Sequence, residues 1–454
     1  MIEGTLTGRV AAYAAATTYE ALPTEVVERV KLIVFDELAC ALLGRELIAG
    51  DLIERFVAGM GGAGEATVIG GGRLPAMLAA LANGTAGHAD EFDGAHVTDG
   101  HPGAVVVHAC TAVAESRRAT GKSLINAVSL GYDIGTRLVK SVGGAYSLRG
   151  RVHVHSDHLH GFGAAIAAAR LLGLGSDGVR HAAAIAAGGA GGLAVVFEER
   201  RHMTKALSTG LAASTGASAA LLASTGFEGH DNVFDSKHGP LGWSADAKNN
   251  VLLKDLGTDH AVFGANFKFY SAGYPIHAPV EAALDIVRKT GLRVEDIAAV
   301  AVHLNSHTAD TVTSRNMPSI CVEDMVSVAI VHGGLGFDLA HSSEAINAPG
   351  VQLLRPNVAV VRDAELDRIQ PNGRGAKVFI TTKSGERHGE MIEHPRGHAL
   401  RGGVDWPSLY EKWDDLLPRR LGDAGYRNFQ AACRSLDGID DLTELMTILG
   451  GPRS

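Results

Sequence analysis

Through the first half of the chain, apolar residues recur at intervals of three and four, the period of a helix with one buried face. Pro23 to Leu43 (PTEVVERVKLIVFDELACALL) opens on a proline suited to a first helical turn and meets Gly44 as a stop. The same period predicts helices over Leu74 to Leu81, Ala104 to Arg118, Ser123 to Val139, Gly163 to Leu172 and Val179 to Ala187. After about Asn266 the pattern shortens and alternates, as in strands with one covered face: Ala298 to Leu304, Val358 to Val361, Lys377 to Thr382 and Arg387 to Ile392. The last two flank KSGE, a hairpin-turn sequence. Helical runs over His277 to Lys289 and Val322 to Val331 lie among the strands, and from Trp406 the chain reads as helix again.

This order predicts a mainly α protein: a large all-helical domain over residues 1–265 and 398–454, with a smaller α+β domain, residues 266–397, inserted in it. The 454 residues exceed what one core of roughly 250 to 300 residues holds. With 57 glycines, Ala-rich stretches and only 5% aromatic residues, the interior is expected to consist of closely spaced helices. Ala206 to Phe227 is uncharged and long enough to span a bilayer. It is built from Ala, Ser, Thr and Gly, which insert weakly, and Gly210, Ser214 and Ser218 suit tight packing in a protein core, so no membrane partner is expected.

A net charge of −9 without any run of Lys or Arg argues against a nucleic-acid partner. It leaves room for an anionic small molecule, because the field inside a pocket, rather than the global charge, decides what enters. Cys40, Cys110, Cys321 and Cys433 are far apart, form no CxxC pair and read as small buried side chains. The opening MIEGTLTGRVAAY lacks the basic and then apolar order of a secretion signal, and with the unpaired cysteines it points to the cytoplasm.

Four segments carry candidate chemistry. The densest is NGTAGHADEFDGAHVTDGHPG, with His88, Asp90, Glu91, Asp93, His96, Asp99 and His101, where carboxylates and imidazoles could hold a metal or position proton-transfer groups. The second is His153 to His160 (HVHSDHLH), placed ahead of a helix whose free amides could bind an anion. The third is Lys205, beside a segment apolar enough to turn its ammonium into a cavity. In the fourth, FKFYSAGYPIHAPVEAALD, Lys268 and His277 flank a loop that leads into a helix, a pairing that favours carboxylates.

The order of ANGTAGHADEFDGAH, HPGAVVVHACTAVAE, GFGAAIAAARLLGL, MTKALSTGLAASTGASAALL, KFYSAGYPIHAPVEAALD and MPSICVEDMVSVAIVHGG resembles the MmgE/PrpD family from near residue 20 to about 415. Its members include 2-methylcitrate dehydratase, cis-aconitate decarboxylase and iminodisuccinate epimerase. The resemblance implies a homodimer with a helical and an α+β domain, a small polycarboxylate as substrate, and no metal or organic cofactor. Carried over one residue at a time, it implies catalytic roles for His101, Lys205, Lys268, His277 and Asp93. Substrate contacts are expected from Glu91, His96, His155, His158 and Tyr274. The family's DxDD row followed by Thr reads here Glu91, Phe92, Asp93, Gly94, Ala95, so one carboxylate and a hydroxyl are missing. His153, His155 and His158 compete for the place of one family histidine.

The expected reaction is lyase chemistry, dehydration or decarboxylation, through a carbanion beside a carboxylate. Lys205 and Lys268 would stabilise the charge, His101 and His277 would move the proton, and Glu91 or Asp93 would orient a histidine. An epimerase with two bases is the alternative within the family. Alternatives of other classes are a metal-dependent hydrolase built on Asp90 to His101 and, from the altered DxDD row, a catalytically inactive polycarboxylate-binding protein.

Overall fold

The computed structural model describes residues 2–98, 100–199, 201–243, 249–370 and 373–451, so Asp99 lies outside the described residues. They form two compact units: Met1–Ala89 with Asp93–Asn266 and Asp405–Ser454, and Asp90–Phe92 with Phe267–Val404.

The first unit is helical. Its helices are α1 (Leu6–Ala16), α2 (Thr24–Gly44), α3 (Ile48–Met60), α4 (Ala76–Gly87), α5 (Pro102–Ser116), α6 (Gly121–Ser141), α7 (Asp157–Leu171), α8 (Ser176–Ala186) and α9 (Thr204–Ser224). The periodic reading finds α2 and α4 to α8 and misses α1 and α3. In α3 the apolar residues point two ways: Ile53 and Val57 are buried, while Ile48, Leu52, Phe56 and Met60 are exposed, which blurs the one-faced pattern. Two termini differ from expectation in ways that matter for chemistry. Helix α4 continues past Leu81 to Gly87, and α7 begins at Asp157 rather than Gly163, which puts His158 and His160 inside the helix.

Helix α9 takes up the bilayer-length run as far as Ser224 and packs against α4, α5, α7 and α8 inside the unit, with two thirds of its most apolar window buried. It lies antiparallel to α4. Ser214 Oγ donates to Met77 O at 2.9 Å, and a Cβ on Gly84 would stand 3.0 Å from Gly210 Cα. A Cβ on Gly210 would collide with Thr85 Oγ1 and Leu81 O, so only glycine permits this approach. The crossing brings the end of α4 to the start of α9, where His88 and Lys205 are. The C-terminal helices Trp406–Trp413 and Pro418–Arg434 join this unit through α2: Phe35 stacks on Phe429, and Asp36 accepts from Lys412 Nζ at 2.7 Å and Trp413 Nε1 at 2.9 Å.

In the second unit, α10 (His277–Thr290) and α11 (Val322–His332) pack with a sheet of β1 (Ile297–Leu304), β2 (Val358–Arg362), β3 (Ala376–Thr382) and β4 (Arg387–Ile392) in the order β2-β1-β3-β4. Strands β1 and β2 are parallel; the other pairs are antiparallel. The alternation seen in the sequence is the burial pattern of β3, whose Val378 and Ile380 join Val300 and Val302 of β1, Val280 and Ala283 of α10, and Met325 and Ala329 of α11 in one core. This unit runs to Val404 rather than 397, because the Arg401 guanidinium pairs with Glu281 of α10. It also takes in Asp90–Phe92, bound to it by Asp90 with Ser271 and by Glu91 with Lys268.

Candidate active site

In the first unit, His88 follows the last residue of α4 and Lys205 sits in the first turn of α9. Lys205 Nζ lies 2.6 Å from His88 Nε2, and His88 Nδ1 faces both oxygens of Asp93 at 3.0 and 2.9 Å. The start of α9 is tied down by Glu199, which accepts from the Lys205 amide at 2.9 Å and the Thr204 amide at 2.7 Å. The His88 ring is fully buried, with its centroid 4.1 Å from that of His101.

His101 caps the start of α5 and is partly exposed, with 13% of its side chain accessible. Asp157, in the first turn of α7, accepts the His101 backbone N–H at 2.9 Å and its Nδ1–H at 3.0 Å. Burial works to raise the Asp157 carboxyl, but the imidazoles of His155 and His101 beside it hold it well below the usual carboxylate range. His155 Nε2 lies 3.2 Å from the same Asp157 oxygen; its Nδ1 is 3.2 Å from Ser208 Oγ, which is 2.8 Å from His158 Nε2. Burial pushes His155 down to about 3, against the pull of Asp157 and with the push of Lys205. Burial lowers His158 as well. His153, by contrast, is exposed, with φ +57°, so the two histidines inside the cluster are His155 and His158. Asp157, in the first turn of this helix, is taken up by His101.

Behind this cluster lies a second carboxyl. Glu37 of α2 is buried and accepts from the Gly94 amide at 3.0 Å; burial, then Asp93 and Asp36, push it well above the ordinary range. A Cβ on Gly94 would stand 2.9 Å from Glu37 Oε1. His88, Asp93 and His101 bring donor atoms within 4.8 Å of one another, as do His101, His155 and Asp157. In the second set the spacing follows without an ion, since both imidazoles face one Asp157 oxygen.

His96 is buried with both nitrogens occupied, Nδ1 by Thr98 Oγ1 at 2.7 Å and Nε2 by Ala261 O at 2.8 Å, and burial lowers it to about 4. Both nitrogens of this ring are thus engaged within the protein. In the second unit, Lys268 is fully buried and pairs with Glu91 Oε2 at 3.3 Å. Asp90 accepts from Ser271 Oγ at 2.7 and 2.9 Å and pairs with His341. His277 is fully buried between the rings of Tyr270 and Tyr274, and its Nε2 donates to Ala272 O at 3.1 Å. That nitrogen is held by the backbone.

The structure therefore gathers His101, Lys205, Asp93, His155 and His158 in the first unit, and Lys268, Glu91, His277 and Tyr274 belong to the second. His88 and Asp157 were given no catalytic role from the sequence, and Ser208 and Glu37 were not singled out. The first two lie in segments rich in His and Asp and are visible there as candidates; their pairing is not, because it depends on where α4 ends and α7 begins.

A helical unit interrupted by a helix-and-sheet unit, with a buried His–Asp–Lys cluster, defines the class. The chain belongs to the MmgE/PrpD family, its residues 8–251 matching the MmgE/PrpD N-terminal domain and 270–437 the MmgE/PrpD C-terminal domain. It is 26% identical to cis-aconitate decarboxylase of Aspergillus terreus (strain NIH 2624 / FGSC A1156) over 98% of this chain and 96% of that protein. It is 25% identical to cis-aconitate decarboxylase of Homo sapiens over 95% and 92%, and 29% identical to that of Mus musculus over 84% and 80%.

Proposed function

We propose that this lyase decarboxylates a tricarboxylate of the cis-aconitate type without a metal or organic cofactor. The observation that carries the reading is His101, held by Asp157 through Nδ1, with its ring 4.1 Å from that of His88, which in turn contacts Lys205. Loss of CO2 leaves an electron pair that spreads toward a neighbouring carboxylate, charge that a fixed ammonium in a poorly hydrated site stabilises. Lys205 is that cation. With Nδ1–H committed to Asp157, Nε2 of His101 is the nitrogen that delivers the proton to carbon, so each CO2 released consumes one proton. The activity named for the relatives favours decarboxylation over dehydration.

The test is NMR of the purified protein with cis-aconitate in deuterated water. Loss of CO2 with one deuterium fixed in the product, surviving chelator and abolished in His101→Ala, is expected. Loss or addition of water, or deuterium exchange with all carbons retained, would replace decarboxylation by dehydratase or epimerase chemistry, and activity lost to chelator would end the cofactor-free reading.

The same proposal includes a homodimer in the cytoplasm. Ile48, Leu52, Phe56 and Met60 form an exposed apolar row on α3, the kind of face that a second copy covers, and the four cysteines are buried and unpaired. Phe56→Glu should shift a dimer to monomer in sedimentation; a monomeric parent protein would remove this part.

A further inference from the structure

We infer that His88, which the reaction scheme above does not use, is a positioning residue that fixes the Lys205 ammonium. The inference rests on the proposed role of Lys205. An ionised carboxylate only accepts, so the Nδ1 of His88 that faces both Asp93 oxygens carries the hydrogen. Neutral His88 then has its lone pair on Nε2, and an ammonium, which only donates, lies 2.6 Å from it.

His88 is itself held by Asp93, by His202 Nε2 donating to its carbonyl at 2.9 Å, and by the ring of His101. Lys205 reaches its place on a flexible four-carbon stem from the first turn of α9, with Nζ 5.9 Å from the centre of the Phe197 ring. The N–H given to His88 orients the ammonium, and a carboxylate that binds it then pays less ordering entropy.

The experiment is a double-mutant cycle on His88 and Lys205, read as binding of tricarballylate, an unreactive tricarboxylate, and as kcat and KM. His88→Phe keeps a ring and loses the acceptor. It is expected to weaken tricarballylate binding at least about tenfold, as Lys205→Met does, with no further loss in the double variant. His88→Gln, which restores an acceptor near Nε2, recovers most of the loss. Should His88→Phe not fold, His88→Asn serves, since its amide still meets Asp93 but stops short of Lys205. Additive losses, or unchanged binding in both His88→Phe and His88→Asn beside a weakened Lys205→Met, overturn the inference and leave the function standing. A wild-type protein that binds no tricarboxylate removes both.

Discussion

Asp157 holds His101 twice, accepting its backbone N–H at 2.9 Å and its Nδ1–H at 3.0 Å. One carboxylate therefore fixes both the start of α5 and the tautomer of the imidazole above it. Asp157→Asn keeps the shape but offers an amide NH2 that can face Nδ1, which favours the wrong tautomer. A positioned acid–base group contributes about a hundredfold to ten-thousandfold, so kcat should fall by at least about a hundredfold with little change in KM. Initial rates on the identified substrate check this; a loss under threefold would take His101 out of the chemistry.

His108 of α5 is fully buried, and neither ring nitrogen has a hydrogen-bond partner among the described residues. Burial lowers it to about 4, and His96 likewise falls to about 4. In the unfolded chain both titrate near about 6.5, so as pH drops the unfolded state takes the proton first. Stability is then full above about 6.5 and erodes toward pH 4 by roughly 1.4 kcal/mol per unit for each ring. Asp157, held low in the folded state, adds its own loss only at more acid pH. Thermal unfolding from pH 7.5 to 4.5 should show this slope, reduced in His108→Leu. A flat profile, or an unchanged slope in that variant, contradicts it.

The helices and strands that bury one face were legible in the sequence, since a single period describes them. Helix α3 was not, because Ile48, Leu52, Phe56 and Met60 stay outside while Ile53 and Val57 go in. Within the site, His101, Lys205 and Asp93 could be named from residue type and resemblance. The pairing of Asp157 with His101 could not, because reading α7 from its alanines at Gly163 leaves the first turn, where Asp157 sits, as loop. Glu37 was hidden for another reason. It lies in the middle of the apolar run of α2, where a carboxyl reads as solvent-facing, and only the backbone of Gly94, distant in sequence, reveals that it is buried.

Lys268 and Glu91 form a buried pair in which Glu91 adopts φ +58°, a left-handed conformation that is uncommon for a residue other than glycine. The strain is tolerated because the carboxylate meets a fully buried ammonium. Glu91→Gln removes the compensating charge and should destabilise the protein by about 3 kcal/mol, the cost of breaking a buried pair from one side. Adding Lys268→Met to that variant removes the uncompensated charge and should recover part of the loss. Urea unfolding of the three variants decides it: a double variant less stable than Glu91→Gln would mean that Lys268 is held mainly by other groups.

Gly210 is where α9 crosses α4, and its missing side chain sets how closely His88 and Lys205 can meet. A methyl group there collides with Thr85 Oγ1 and the Leu81 carbonyl, and the carbonyl, being backbone, cannot swing aside. Gly210→Ala should therefore part the helices and cost about 1 to 3 kcal/mol, more than alanine returns through its better helix propensity. The displacement is transmitted along α9 to Lys205, five residues and somewhat over one turn away. Activity measured well below the melting temperature should then fall together with tricarballylate affinity. Ala212, two positions along and equally buried in the same helix, is the control: Ala212→Gly should lower stability without an equal loss of binding. If Gly210→Ala binds and turns over normally when folded, the crossing does not govern the Lys205–His88 contact.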